Sequence, residues 1–459
     1  MSQKKGRSFK RREFLAGVAA LPLLGARDGL LNQNQASGND PAAHAEPPLR
    51  LGIIGYGNRG EELCRELLHS ELNTEILALC EVFDQRLQRG LKAGGDQTRP
   101  YGNYLDLLDE PDIDAVVIAA PDHWHAQMAM DAARRGKHIY LETCLTRTLD
   151  EAKALKDEVK KSEVIFQLGF QGRQRDLNLK ARELLATDII GKISLIETTT
   201  NRNDPEEGWK IMDDEMASTE NIDWEQFQKP LEAKHPFSPE RYYGWRNYWE
   251  YGNGMSGDLL SNELDMVNTV LDLGIPQSAI ATGGIYGHRD GRQVPDVFQA
   301  AFEYPDRELS LLYSGTLANG IPRGALFMGR DASLELGRIL SVWADKSSVK
   351  YKSRIKAGII DPAAPFVNYM QDQYRVDGIS SATAKYYADR GLERTYKEGK
   401  QVSTTRLHLA EWLAAIRKKG SCSCNIDRGF EVAVSSFMAT RSYSEGRKVE
   451  WDPQKEVII

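Results

Sequence analysis

At 459 residues the chain exceeds what one hydrophobic core sustains, about 250–300 residues, so two domains with appendages are expected. A composition of 41% hydrophobic and 27% charged residues with 39 Gly excludes wholesale disorder and collagen-like repetition. Lys and Arg number 59 against 66 Asp and Glu, a net charge of −7, which leaves no basic excess for a nucleic-acid backbone or an anionic membrane.

The first segment, residues 1–45, reads as an export signal and linker. Lys10-Arg11-Arg12-Glu13-Phe14-Leu15 precedes an apolar run from Ala16 to Leu24 that contains a proline. A twin arginine followed by a short apolar region looks like a twin-arginine export signal, and the run is too short to anchor the chain stably in a bilayer. The competing reading is a basic amphipathic arm. Ala43-His44-Ala45 and Leu24-Gly25-Ala26 are both candidate cleavage sites. Twin-arginine transport carries folded proteins, which suits a chain that acquires a cytoplasmic cofactor before it leaves for the periplasm or the medium. The five cysteines are spaced neither as a disulfide framework nor as a zinc site.

Residues 48–170 alternate strand and helix signals. The apolar run Arg50 to Ile54 ends at Gly55-Tyr56-Gly57-Asn58-Arg59-Gly60, and helical spacing follows at Leu63, Leu67 and Leu68. In that order Gly55 permits a tight turn, Gly57 lets backbone approach a pyrophosphate, and Gly60 allows close helix packing, while the helix start offers unpaired N–H groups. The next run, Ile76 to Cys80, ends in Glu81, where a carboxylate can accept from ribose hydroxyls and repels a 2′-phosphate. NAD is therefore favoured over NADP. The competing reading is a glycine turn that binds nothing. Further buried strands, Ala115 to Ala120, Ile139 to Glu142 and Val164 to Gly169, complete a parallel sheet whose carboxyl ends form one rim. Pro121, His123, His125, Glu142, Thr143 and Gln171 are expected on that rim. His123 and His125 invite a metal reading, but without further ligands they are assigned to a turn and helix start.

These segments resemble the Gfo/Idh/MocA family, the glucose-fructose oxidoreductase and inositol dehydrogenase group. The likeness rests on the glycine turn, Cys80-Glu81-Val82, Pro121-Asp122-His123-Trp124-His125-Ala126 and Gly136 to Glu142. It continues through Gly191-Lys192-Ile193, Trp245 to Trp249, Gly257-Asp258, Asp265, Pro295-Asp296 and Trp451-Asp452-Pro453. The resemblance implies an α/β fold: an N-terminal doubly wound Rossmann domain, then a C-terminal α/β domain with an open, mostly antiparallel sheet that covers the nicotinamide and mediates homo-oligomerisation. Strand-like runs at Ile193 to Thr200, Ala279 to Tyr286, Val297 to Tyr304, Leu309 to Leu317 and Ser333 to Leu336 agree with a second domain over 171–459. Residues 340–405 read as a polar insertion, and Leu407 to Ile416 as a late amphipathic helix.

The family's chemistry is hydride transfer from a sugar or polyol hydroxyl to nicotinamide, with a base for the hydroxyl proton. At the family's Lys position this chain has Thr143, and at its His position Asn262; Asp258 and Asp265 remain. Neither an amide nor a Thr hydroxyl titrates near neutrality. Asp258 becomes the expected proton acceptor, its carboxyl raised beside an apolar sugar face. Glu263, Tyr251 and His125 are further candidates, Glu263 being read as solvated or paired instead. Arg173, Arg246 and Tyr251 are candidate substrate contacts, and the aromatic run Tyr242 to Trp249 reads either as a sugar platform or as core, with Trp245 and Trp249 on one side of a helix. Two other readings compete: an NAD-dependent glycosidase that oxidises transiently and eliminates, and a non-catalytic sugar or nucleotide binder.

Overall fold

The computed structural model describes residues 46–203, 216–370, 394–397 and 400–459. The export-signal expectation over 1–45 lies outside the described residues, as does the stretch 371–393 of the expected insertion.

The first layer runs β1 (Leu49–Ile54), α1 (Asn58–Leu67), β2 (Thr74–Cys80), α2 (Asp84–Gly94), β3 (Arg99–Tyr101), α3 (Tyr104–Leu108), β4 (Ala115–Ile118), α4 (Asp122–Arg134), β5 (His138–Leu141), α5 (Leu149–Ser162) and β6 (Phe166–Leu168). Its six strands are parallel in the order β3-β2-β1-β4-β5-β6. All four residues of β4 are buried, as helices on both faces of a parallel sheet require. α5 starts at a capping box in which Thr148 accepts from Glu151 N and Glu151 reaches back to the Thr148 amide.

The chain continues through α6 (Asp176–Leu185), β7 (Ile193–Asn201), α7 (Trp224–Gln228), α8 (Pro239–Tyr243), a π-turn at Ser256–Leu260, α9 (Ser261–Leu271), β8 (Ser278–Gly284), β9 (Val297–Tyr304) and β10 (Leu309–Thr316). There follow β11 (Ala325–Gly329), β12 (Ala332–Leu336), β13 (Leu340–Ala344), α10 (Lys352–Lys356), β14 (Val367–Tyr369), β15 (Arg394–Lys397) and β16 (Lys400–Ser403). The last elements are α11 (Thr404–Lys418), α12 (Ile426–Glu445), β17 (Val449–Asp452) and β18 (Val457–Ile458). Ten of these strands form a second sheet, β14-β13-β12-β11-β7-β10-β9-β8-β17-β18, antiparallel except where β7 meets β10. Side chains of β9 and β10 alternate in burial because α9 and α12 cover one face only.

One expectation changes. Residues 340–344 and 367–369 are not a polar excursion but strands β13 and β14 at the sheet edge; Leu340, Val342 and Ala344 are buried while Ser341 and Trp343 alternate outward. The core of the N-terminal domain also receives side chains from beyond residue 170. α11, from far along the chain, places Leu409, Trp412 and Leu413 against Leu51, Ile53, Leu63 and Leu67. Trp412 meets Tyr140 edge-on at 5.6 Å. Burying each of these large side chains contributes about 1.5–3 kcal/mol, so α11 is an integral wall of the Rossmann core.

A cleft at the sheet rim and the groups it gathers

The carboxyl ends of the parallel strands open onto a cleft of about 720 Å³. At one end stands the glycine turn between β1 and α1. Gly55 has φ +90°, and a Cβ there would stand 2.7 Å from Ala119 O, while a Cβ on Gly60 would run into the carbonyl of Gly55. Only glycine permits this approach of helix to strand. α1 begins at Gly57 with no side-chain cap, so its first N–H groups face the cleft unclaimed by a cap. Gly55, Gly57, Asn58 and Arg59 line the cleft; Tyr56 and Gly60 shape it from behind.

Glu81, at the end of β2, also lines the cleft. Its Oε2 accepts from Tyr56 N at 2.6 Å, and its Oε1 accepts from Val82 N at 2.8 Å and Phe83 N at 3.1 Å. The carboxylate thus ties the glycine turn to the chain leaving β2. With about four acceptor positions on a carboxylate, one remains for a ligand. Arg59 donates to Glu142 Oε1 (2.9 Å), to Glu62 Oε2 (2.6 Å) and to Gln171 Oε1 (3.1 Å), which joins three cleft residues from α1, the turn after β5 and the turn after β6. Burial pushes the Glu62 carboxyl up, against the opposing pull of Arg59. These features fit a dinucleotide: a cradle that a Cβ would fill, unclaimed amides at a helix start, and an acid one strand away.

At the other end the cleft is lined by Thr143, Trp245, Arg246, Asp258, Asn262 and Glu263. Asp258 sits in the π-turn, and its Oδ1 receives Arg246 Nε at 3.2 Å. The expected apolar surrounding is therefore not found: a guanidinium faces Asp258, itself lying over the Trp245 ring at 4.1 Å. Asn262 Nδ2 donates to the carbonyl of Asp258 at 2.7 Å and so steadies the turn that carries it. Glu263, read from sequence as solvated or paired, is paired, accepting from Thr200 Oγ1 at 3.4 Å, and also lines the cleft.

Besides Tyr56 and Gly60, four more expected site residues lie outside the cleft lining. His123 is buried with Nε2 on Phe227 O at 2.8 Å, and burial lowers its imidazole to about 4. His125 is fully buried between two main-chain carbonyls, Cys144 O (2.6 Å) and Ala120 O (2.8 Å). Both brace the rim rather than face it; only Pro121 of that turn's expected contacts reaches the cleft. Arg173 pairs with buried Asp265 (2.8 and 2.5 Å) and donates to Ser423 O (2.6 Å), which makes it a structural cation. Tyr251 is 0% exposed among His123, Phe227 and Tyr248, and burial pushes its phenol up to about 12. Trp245 and Trp249 share no α-helix: a short 3-10 turn ends at Asn247, and Trp249 Nε1 donates to Gln293 O away from the cleft lining. Arg86, Thr200, Arg202, Gln226 and Phe227 are wall residues that no motif in the sequence announces.

Residues 49–170 match the oxidoreductase family's NAD-binding Rossmann fold, and residues 220–451 match its C-terminal alpha/beta domain. A glycosyl hydrolase family 109 protein of Shewanella sp. (strain MR-4) is 34% identical over 207 residues, 40% of this chain and 43% of that protein. Levoglucosan dehydrogenase of Pseudarthrobacter phenanthrenivorans is 28% identical over 192 residues, 40% of this chain and 42% of that protein. The chain thus spans less than half the length of these relatives. A levoglucosan dehydrogenase solved with NADH and levoglucosan superposes with a TM-score of 0.62 at 18% identity, covering 88% of this chain and 99% of that one. The chain belongs to the Gfo/Idh/MocA oxidoreductase family, with its NAD-binding Rossmann domain followed by its C-terminal α/β domain.

Proposed function

We propose that this protein is an NAD-dependent oxidoreductase acting on a hydroxyl of a small sugar or polyol, exported by the twin-arginine route and working as a homo-oligomer. The observation that carries the reading is one cleft holding the glycine turn and Glu81 at one end and Asp258, Asn262, Thr143 and Arg246 at the other. Bound nicotinamide supplies a hydride acceptor. The amides of Asn58, Arg59 and Gly60 hold the pyrophosphate, and Glu81 orients the adenosine ribose and disfavours a 2′-phosphate. Asp258 accepts the hydroxyl proton through the oxygen that does not face Arg246. Trp245 offers an apolar face to sugar C–H groups, while Thr143 and Asn262 contribute hydrogen bonds and move no proton. The names of relatives support a carbohydrate substrate: levoglucosan dehydrogenase, and inositol 2-dehydrogenase of Salmonella.

Assay of the purified protein with NAD against a panel of sugars and polyols tests the reading. NADH formation with at least one, lost in Asp258→Asn, is the expected outcome, and binding without NADH formation across the panel counts against it. A second reading is favoured by the family 109 relatives and by the missing Lys and His: transient oxidation followed by elimination across a glycosidic bond, with no net NADH. Cleavage of an aryl glycoside with solvent-hydrogen exchange next to the transient carbonyl distinguishes it. For the oligomer, Ile280 and Leu312, 52% and 38% exposed, flank Ala301 in register on the uncovered sheet face. Leu312→Lys should shift the mass measured by light scattering towards the monomer.

A further inference from the structure

Outside the two large cores the described residues hold a third, mostly aromatic cluster: Phe83, Phe227, Tyr242, Tyr243 and Tyr251 with Ala217, Ile222 and Leu231. All of it except Phe83 belongs to the segment 216–251, which crosses from the second domain to the parallel sheet and is fastened there. Asp223 N donates to Val82 O at 2.9 Å and Asp84 N to Asn221 O at 3.0 Å, so the segment bridges to the two residues that follow Glu81 and to Asp84. Across the cleft, His123 Nε2 and Trp124 Nε1 meet Phe227 O at 2.8 and 2.9 Å. Ala217 N donates to the Tyr243 hydroxyl at 2.7 Å. The segment is thus pinned at the end of β2 and at the start of α4, with the cleft between.

We infer that residues 216–251 are a strap that supplies half of an adenine-binding site and retains the dinucleotide between turnovers. This rests on the reading of the cleft as an NAD site. Gln226, Phe227, Tyr242 and Tyr243 face the cleft in company with Glu81 and Arg86. Arg86 holds its guanidinium 5.0 Å from the Tyr242 ring, and its Nη1 stands 3.3 Å from where a Cβ of Gly57 would lie. An adenine on the Glu81 ribose enters this compartment of π faces and a cation, the surroundings that bind planar bases through stacking. Leaving requires the main-chain bonds at the end of β2 and the His123 and Trp124 side-chain bonds to Phe227 O to open and the aromatic cluster to part, which makes release slow. The exposed Asp223 is a handle on the strap that touches no ligand: its Oδ1 caps α7 by accepting from Gln226 N at 2.8 Å.

The test compares dissociation of NAD, ADP-ribose and nicotinamide mononucleotide from the full protein and from Asp223→Ala and Gln226→Ala. Wild type should keep NAD through gel filtration, with release over minutes. Either variant should release NAD and ADP-ribose about tenfold faster, with affinity for nicotinamide mononucleotide unchanged within about twofold. Release of NAD from wild type within seconds overturns the strap, as does an equal weakening of all three ligands in both variants. Wild type that binds neither NAD nor ADP-ribose overturns the cofactor reading and the strap with it.

Discussion

Replacing Glu81 by Gln removes the charge while keeping the shape, and the structure fixes what that costs. The carboxylate accepts three main-chain N–H groups, one on Oε2 and two on Oε1. An amide can serve only one side. Its best orientation keeps Val82 N and Phe83 N on the oxygen and turns the NH₂ against Tyr56 N, a donor facing a donor. Losing one hydrogen bond to a charged acceptor costs about 1.5–3 kcal/mol. With an unfolding entropy of about 2.1 cal/mol/K per residue, a body the size of Pro47–Ile459 shifts its Tm by about 1 °C per kcal/mol, so calorimetry should find melting lowered by about 2–3 °C. Titration calorimetry should show NAD affinity about tenfold weaker, because the remaining acceptor position loses its charge. NADP should lose less, because the repulsion of its 2′-phosphate disappears. If Glu81→Gln melts and binds NAD as the wild type does, the carboxylate neither ties the glycine turn nor holds the ribose, and the reasoning fails.

Other expectations follow from the same geometry. Asp258→Asn should lower turnover by about 10²–10⁴-fold with NAD affinity unchanged, measured by steady-state kinetics and calorimetry. Thr143→Lys with Asn262→His should raise turnover at least about tenfold on a sugar that binds, and no gain on any such sugar refutes the assignment of those positions. Arg173→Ala leaves Asp265 buried without its partner and should destabilise the fold by about 3–5 kcal/mol, seen in urea titrations, whereas a substrate contact would instead raise KM. His123 has a folded-state value of about 4 against about 6.5 when unfolded, so its contribution is fully present above pH 6.5 and is lost as pH falls towards 4. That loss approaches about 3 kcal/mol, and His123→Gln should flatten the stability profile in this window.

The parallel domain was legible in the sequence because its signals are local. The glycine turn, the apolar run at Ala115 to Ile118 and the acid after Cys80 each declare themselves within a few residues, and the strands they announce lie where expected. What escaped depends on distant partners. Arg173 reads as a substrate contact until Asp265 and Ser423 take its guanidinium. His123 and His125 sit next to the rim, yet main-chain carbonyls claim their rings. α11 carries a recognisable amphipathic face, but nothing in its periodicity says that the face completes a core begun at Leu51. The run Tyr242 to Trp249 holds both proposed roles at once, Trp245 on the cleft and Tyr242 and Tyr243 shared between wall and core, a division that only the fastening of the strap decides. In β13 the alternation Leu340, Val342, Ala344 is a strand signal only five residues long, set at the head of a polar stretch rich in lysine after Asp345.

The most direct test of the account is a crystal structure of the protein grown with NAD. The expected result is the pyrophosphate over the amides of Asn58 to Gly60, the adenosine ribose on Glu81, and the nicotinamide between Thr143 and Asp258. A cleft without nucleotide at saturating NAD, or a dinucleotide bound elsewhere, would contradict it.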